Sequence, residues 1–264
     1  MARTEYVFHR AEERQELERL RAIEHEFDPA SRKRLLAAGV QRGSRCLEVG
    51  PGAGSILAWM SEVVGPSGLV CAVDLSTKFL APDWPPHVDV RQADIRTVSL
   101  GEGSFDVVHA RYVLIHIPDF EAVLKKMLRW LKPGGWLILE EPDFSASRGI
   151  TGDGVQLEAV KRVNEAIKIM YDVLKMDYAV GLKLPGLLKV IGLIDLVVEN
   201  HAPLSHGGSG PAIIMKMSAI QLREKYLATN VVSAADLDAY CRFAEDPHTW
   251  AIYYATVAVR ARKL

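Results

Sequence analysis

Two apolar segments separated by a glycine-rich turn constrain the fold of this chain most strongly. Residues 45–49 read as a buried β-strand, and a second apolar strand over about residues 69–74 ends in an acid. The turn after the first strand carries three alternate glycines, Gly50, Gly52 and Gly54, and a helical pattern follows it. Such a strand–turn–helix–strand unit is typical of parallel sheets that bind a nucleotide cofactor at the carboxyl ends of their strands.

The same alternation continues downstream. We expect further strands over residues 87–92, 105–110 and 136–140, with helices between them. Strict alternation of strand and helix predicts a parallel sheet with helices on both faces. The alternation lapses beyond this point, where residues 155–177 carry one long helical pattern and the chain ends with a strand over residues 249–260.

The N-terminal segment predicts two helices. Leu17, Leu20, Ile23 and Phe27 recur at helical spacing within residues 10–27. Asp28 and Pro29 then read as the N-cap and first-turn proline of a second, shorter helix that ends at Gly39.

The amino-acid composition argues against several classes of binding partner. A net charge of −1 with 25% charged residues gives no broad basic surface, which argues against nucleic acid and against an anionic membrane. The three cysteines fit no zinc or redox spacing, so we expect no metal, and no apolar signal core precedes residue 26. These observations favour a cytoplasmic protein that acts on a small molecule.

The glycine spacing disfavours a dinucleotide. A nicotinamide-binding turn needs a third glycine at position 55, where this chain has serine. Glu48, two residues before the turn, is a poor neighbour for phosphate and a good one for a cation or an amino group. Asp74, at the tip of the second strand, can accept hydrogen bonds from both hydroxyls of a ribose. A nicotinamide oxidoreductase is the weaker alternative.

The segment Glu48-Val49-Gly50-Pro51-Gly52-Ala53-Gly54 resembles motif I of the class I S-adenosylmethionine-dependent methyltransferases. Four further matches follow in the family's order: Asp74-Leu75, Ala93-Asp94-Ile95, Phe105 to Val108, and Leu131 to Leu137. The resemblance implies an α/β fold with a Rossmann-like seven-stranded sheet, the last strand antiparallel, and a helical lid insertion after strand 5. More loosely, the lid segments resemble those of bacterial small-molecule enzymes such as the ubiquinone and menaquinone methyltransferases.

S-adenosylmethionine is the cofactor that this resemblance implies. The residues it assigns to the cofactor are Tyr6, Glu48, Gly50, Gly52, Gly54, Asp74, Leu75, Asp94, Ile95 and Arg111. Asp74 would bind the ribose diol, Asp94 the adenine amino group, and Arg111 the methionine end. Two structural alternatives stay open: Asp94 as the cap of a turn, and Glu48 as the partner of a lysine.

Three residues are candidates for catalysis. His116 follows the fourth strand and is either a catalytic base or a structural residue. His206 lies in a loop beside two glycines and is either a base or incidental. Glu141, after the fifth strand, is either catalytic or a residue that shapes the site.

The sequence also suggests a domain division. We expect an N-terminal helical lid over residues 1–43, a cofactor-binding core over 44–142, a helical substrate cap over 143–192, and the rest of the sheet over 193–264. The apolar cap favours a partly apolar acceptor, such as a quinone or another natural product. Alternatives are a fold that binds the sulfonium only as a fixed charge for a cyclisation, decarboxylation or rearrangement, and a binding protein without turnover. Homodimerisation through the cap or the lid is left open.

Overall fold

The computed structural model describes residues 6–9 and 11–264, so part of the expected N-terminal lid, residues 1–5 and 10, lies outside the described residues. The strands are β1 (Arg45–Val49), β2 (Leu69–Asp74), β3 (Val88–Gln92), β4 (Phe105–Arg111), β5 (Leu131–Asp143), β6 (Arg148–Thr151), β7 (Ile194–His201), β8 (Ser205–His206), β9 (Trp250–Ile252) and β10 (Ala255–Arg262). The helices are α1 (Glu13–Ala37), α2 (Ser55–Val64), α3 (Phe120–Trp130), α4 (Gly154–Val173), α5 (Val180–Val190), α6 (Gly210–Gln221), α7 (Arg223–Leu227) and α8 (Ala234–Glu245). Two short 3₁₀ helices cover Leu114–His116 and Phe144–Ala146.

Seven strands form the main sheet in the order β3-β2-β1-β4-β5-β10-β7. The first five are mutually parallel, and β10 runs antiparallel to both β5 and β7. This arrangement confirms the expected Rossmann-like sheet, with the final strand inserted beside strand 5. In a parallel sheet the carboxyl ends of β1 to β5 meet at one edge, and the segments that follow them are gathered there.

Helix α1 is one continuous helix, so the prediction of a helix boundary at Asp28 and Pro29 is wrong. Proline in a helix removes one intrahelical hydrogen bond. Packing offsets this cost, because Phe27 and Leu35, on either side of Pro29, are buried in the two hydrophobic clusters of the core. The Asp28 side chain does not cap the helix; it forms an ion pair with Arg32 one turn later.

A helical layer lies over the carboxyl edge of the sheet. It combines α1 and α4 with α6, α7 and α8, which pack against one another. Helix α5, by contrast, packs on the sheet strands β5, β7 and β10. A small antiparallel sheet in the order β6-β9-β8 joins three distant segments of the chain. Its strand β8 lies where the sequence analysis placed His206 in a loop, and the strand expected over residues 249–260 is divided into β9 and β10. Within residues 6–9 and 11–264, no helix is both long and apolar enough to cross a membrane.

Candidate active site

A cavity of about 780 Å³ opens at the carboxyl edge of the main sheet. Segments that follow β1, β2, β3, β4 and β5 line it, and α1, α4, α6 and α7 close it from above. One part, the cradle end, is lined by Gly50, Gly52, Asp74, Leu75, Asp94 and Ile95. The other part, the aromatic end, is lined by Tyr6, Phe8, His116, Phe144, Tyr171, Tyr226 and Tyr254. The cavity is continuous between the two ends.

The glycine turn lines the cradle end with backbone and no side chains at Gly50 and Gly52. Gly50 has φ +67°, and a Cβ there would lie 2.4 Å from Cγ2 of Val113. Gly52 has φ +61°, with Leu20 of α1 above it. Gly54 differs, because it is the N-cap of α2 and is not among the residues that line the cavity. Its own reason for being glycine is φ +94° and a Cβ position 2.9 Å from Leu80.

Asp74 presents a partly used carboxylate to the cradle end. Its Oδ1 accepts the Ser76 backbone N–H at 3.0 Å, and its Oδ2 accepts the Gly52 N–H at a long 3.4 Å. Burial raises the pKa of Asp74 above its usual value, although these backbone N–H groups oppose the shift. A carboxylate can accept about four hydrogen bonds, so capacity for two hydroxyl donors remains.

Asp94 lines the cradle end and also caps a turn. It accepts the Arg96 backbone N–H at 2.8 Å, and its Oδ2 lies 2.6 Å from Arg96 Nη2. The guanidinium of Arg96 holds the pKa of Asp94 below its usual value. The turn-cap alternative is therefore present in the structure together with exposure to the cavity. Ile95, next in the chain, is buried and lines the same end.

Carboxylates of α1 fill the anion position at the start of α2. The Ser55 backbone N–H donates to Glu24 Oε1 at 2.9 Å, and Ser55 Oγ donates to Asp28 Oδ1 at 3.0 Å. A helix N-terminus after a glycine turn is where a dinucleotide pyrophosphate would bind. Here the protein's own acids occupy it, so a phosphate group would meet negative charge at this position.

Glu48 pairs with a histidine rather than with a lysine. His109 is fully buried, with its Nδ1 2.7 Å from Glu48 Oε2 and its Nε2 3.0 Å from Glu140 Oε1. Glu140 in turn accepts Arg34 Nη1 at 2.7 Å. Burial alone would lower the pKa of His109, but the two carboxylates outweigh it and raise that pKa to about 9. Glu48, which also lines the cavity, is therefore held in place by a charged partner.

Arg111 joins the sheet to α1 at the cavity wall. Its Nη1 donates to Ser31 Oγ at 2.9 Å, and its Nη2 donates to Asp28 Oδ1 at 3.0 Å. Two of its five N–H groups are thus used by α1, and the residue also lines the cavity.

His116 lies in the wall of the aromatic end. Its ring contacts Tyr6 edge-on, with the ring centroids 4.9 Å apart. Its Nδ1 is buried and has no hydrogen-bond partner within the described residues. Burial, together with the positive charges of Arg19 and Lys225, lowers the pKa of His116 to about 3, so the ring is neutral across the physiological range.

The other two catalytic candidates do not line the cavity. Glu141 is fully buried and accepts the backbone N–H groups of Val113, Leu114 and Ile115, which makes it the support of the 3₁₀ helix that carries His116. Burial raises the pKa of Glu141 to about 7. His206 lies on β8, with its Nδ1 2.7 Å from the Gly207 carbonyl.

Sequence reasoning assigned Tyr6 to the cofactor but missed its polar partners, Glu16 and Arg19, at the aromatic end. Tyr6 Oη donates to Glu16 Oε1 at 2.9 Å and accepts from Arg19 Nη2 at 2.8 Å. Glu16 and Arg19 are both buried, and both line the cavity. An acid and a base three residues apart on an amphipathic helix usually face solvent, so the pattern alone carried no signal.

The comparisons with known proteins agree with this architecture. A family described as "Methyltransferase domain" matches residues 16–174. A demethylmenaquinone methyltransferase of Staphylococcus aureus is 33% identical over 116 residues, which is 42% of this chain and 48% of that protein. This chain covers only 33% to 48% of the length of the first curated relatives that it matches.

Solved structures show the same fold. The YcgJ protein of Bacillus subtilis has a TM-score of 0.55 at 16% identity, over 87% of this chain and 95% of that one. A phosphoethanolamine N-methyltransferase of Haemonchus contortus, solved with phosphomonomethylethanolamine and S-adenosylhomocysteine, has a TM-score of 0.53 at 21% identity, over 84% of this chain and 49% of that one. With the family match over residues 16–174, the chain belongs to the class I S-adenosylmethionine-dependent methyltransferases.

Proposed function

We propose that this protein transfers a methyl group from S-adenosylmethionine to a small, partly apolar acceptor bound at the aromatic end. The observation that carries this proposal is the single cavity, which runs without interruption from the cradle end to the aromatic end. A transferase that joins two ligands needs such a space, because donor and acceptor must meet within one enclosure.

The cradle end suits an adenosyl group without phosphate. Asp74 retains hydrogen-bonding capacity for a ribose diol, and Leu75, Asp94 and Ile95 line the space where adenine would lie. Glu48 offers its negative charge to the cationic methionine end. The cofactor supplies an electrophilic methyl group when bound. Glu24 of α1, whose carboxylate lies at the N-terminus of α2, would repel the pyrophosphate of a dinucleotide coenzyme.

The protein's own contribution is alignment and exclusion of water. Helix α1 covers the glycine turn, and aromatic side chains surround the acceptor position, so the reacting groups are enclosed. We give His116 an orienting role, in which its unpaired Nδ1 bonds to a polar atom of the acceptor. A pKa of about 3 makes it a weak base at neutral pH.

The aromatic end favours a flat acceptor of the quinone or natural-product kind. Its tyrosines and phenylalanines provide apolar ring faces beside one polar cluster, formed by Tyr6, Glu16 and Arg19, and this combination is typical of pockets for such molecules. The relative named demethylmenaquinone methyltransferase supports an acceptor of this type.

Calorimetry with S-adenosylmethionine tests the first half of the proposal. We expect binding in the micromolar range, lost on Asp74→Ala and retained on Asp89→Ala, a matched change of an acid on β3 that does not line the cavity. NADH should give no heat. Binding of NADH without binding of S-adenosylmethionine would refute the proposal.

The mass of the product tests the second half. Transfer replaces one hydrogen of the acceptor by a methyl group and releases S-adenosylhomocysteine and a proton. A product with the atoms of its substrate rearranged, or carbon dioxide lost, while S-adenosylmethionine stays intact would instead favour the fixed-charge alternative.

A further inference from the structure

Arg19 of α1 brings a positive charge into the aromatic end. The residue is 5% exposed, and its guanidinium carbon lies 3.7 Å from the centre of the Phe8 ring. Its charge also acts on His116, Tyr171 and Tyr226, which line the same space. A cation in such surroundings needs its hydrogen-bond donors satisfied, because an unpaired buried N–H group is costly.

The protein satisfies three of the five N–H groups of this guanidinium. Nε donates to Glu16 Oε2 at 2.9 Å, and Nη2 donates to Glu16 Oε1 and to Tyr6 Oη, each at 2.8 Å. The two N–H groups on Nη1 have no acceptor within residues 6–9 and 11–264. Nη1 is not fully enclosed by protein, and Arg19 lines the cavity. These two donors therefore open into the cavity.

Glu16 already balances the charge of Arg19. Lys225, the other cation that acts on His116, donates to the Val7 carbonyl and does not line the cavity. Glu16 is 3% exposed and bonds to Arg19 through both carboxylate oxygens, and His116 beside the pair is neutral. A carboxylate ligand would therefore place a second negative charge beside Glu16 among aromatic rings. A neutral carbonyl oxygen can accept from Nη1 without that cost.

We infer that Nη1 of Arg19 binds a neutral carbonyl oxygen of the acceptor, which makes the substrate a flat, largely apolar carbonyl compound. This inference rests on the proposed function, because it concerns the acceptor at the same site. It assigns Arg19 as the residue that selects for the carbonyl and sets the orientation of the ring system.

Three probes of similar shape separate the possibilities. Acetonaphthone carries a neutral carbonyl, ethylnaphthalene has the same ring and chain without oxygen, and naphthoate carries a carboxylate at the same ring position. Each is titrated into the full chain by calorimetry, both without cofactor and saturated with S-adenosylhomocysteine. We expect acetonaphthone to bind at least about tenfold more tightly than either of the others, as one hydrogen bond to a charged donor would give.

Two variants locate the preference. Arg19→Met should bring acetonaphthone and ethylnaphthalene to within about twofold of each other. Arg14→Met is the matched control, because Arg14 lies on the same helix with its side chain 84% exposed, and it should leave the preference intact.

Several outcomes would overturn the inference. In the unaltered protein, these are equal binding of acetonaphthone and ethylnaphthalene, tighter binding of naphthoate, or no binding of any ring compound. These three tests do not depend on a variant that folds. In the Arg19→Met variant, a preference for acetonaphthone that persists would also overturn the inference. Because the titrations without cofactor do not depend on S-adenosylmethionine, a failure of the proposed function is seen separately, as absence of heat with that donor.

Discussion

The buried His109 should make the stability of this protein depend on pH in a defined window. Its imidazole is fully enclosed between Glu48 and Glu140, at 2.7 Å and 3.0 Å from their oxygens. Burial acts to lower the pKa of His109, and the two carboxylates raise it from 6.5 to about 9 in total. The folded chain therefore holds this proton more tightly than the unfolded chain does.

The direction and size of this change in the free energy of unfolding follow from the linkage between proton binding and folding. Below pH 6.5 both states are protonated at His109, and the full stabilisation is present. As pH rises towards 9 the unfolded chain loses the proton while the folded chain keeps it, so the free energy of unfolding falls. The difference between 6.5 and about 9 corresponds to roughly 3 kcal/mol.

Urea unfolding between about pH 6 and about pH 9.5 measures this effect. His109→Gln removes the titrating group and keeps an amide that can donate to one of the carboxylates. The unaltered protein should lose roughly 3 kcal/mol more than His109→Gln across the window. His87→Gln, which removes a histidine bonded to Ser61 rather than to a carboxylate, is the control and should follow the unaltered protein. Parallel pH profiles for His109→Gln and the unaltered protein would show that the imidazole is not charged in the fold.

Three further outcomes are expected. Gly50→Ala places a Cβ 2.4 Å from a valine methyl and should weaken S-adenosylmethionine binding in calorimetry at least about tenfold. Gly65→Ala, also at positive φ but with open space around it, should leave this binding unchanged. Equal effects of the two changes would contradict the steric reason. Glu141→Gln keeps one oxygen for the Val113 and Leu114 N–H groups but sets an amide N–H against the Ile115 N–H. It should cost about 1–3 kcal/mol in urea unfolding, so an unchanged midpoint would argue against its supporting role. In a product-mass assay His206→Ala should keep turnover within about twofold, while His116→Ala should lower it about tenfold or more. A larger loss with His206→Ala than with His116→Ala would contradict the placement of the acceptor beside His116.

The sheet could be predicted from the sequence because its signals are local. Alternating apolar strands and helices, with positive φ required at Gly50 and Gly52, determine a parallel α/β unit. The helix boundary expected at Pro29 failed because the burial of Phe27 and Leu35 depends on tertiary packing that no local signal reports.

The candidate site was predicted only in part. Gly50 and Asp74 line the cavity as expected, and their cofactor-binding roles stay predictions. The contact between Glu48 and His109 could not be foreseen, because it depends on the register of β1 against β4. Glu141 follows Glu140 directly, and since neighbouring residues of a strand point to opposite faces, the two acids meet different partners.

The acids at the start of α2 bear on which metabolites can inhibit this protein. ATP, ADP and the dinucleotides share the adenosine moiety with the methyl donor and compete for any pocket that reads adenosine alone. Their phosphates would meet Glu24 on α1, which lines the cavity and already accepts the Ser55 backbone N–H. We therefore expect the helix laid across the turn to exclude adenosine compounds that carry phosphates, because repulsion by Glu24 opposes their binding.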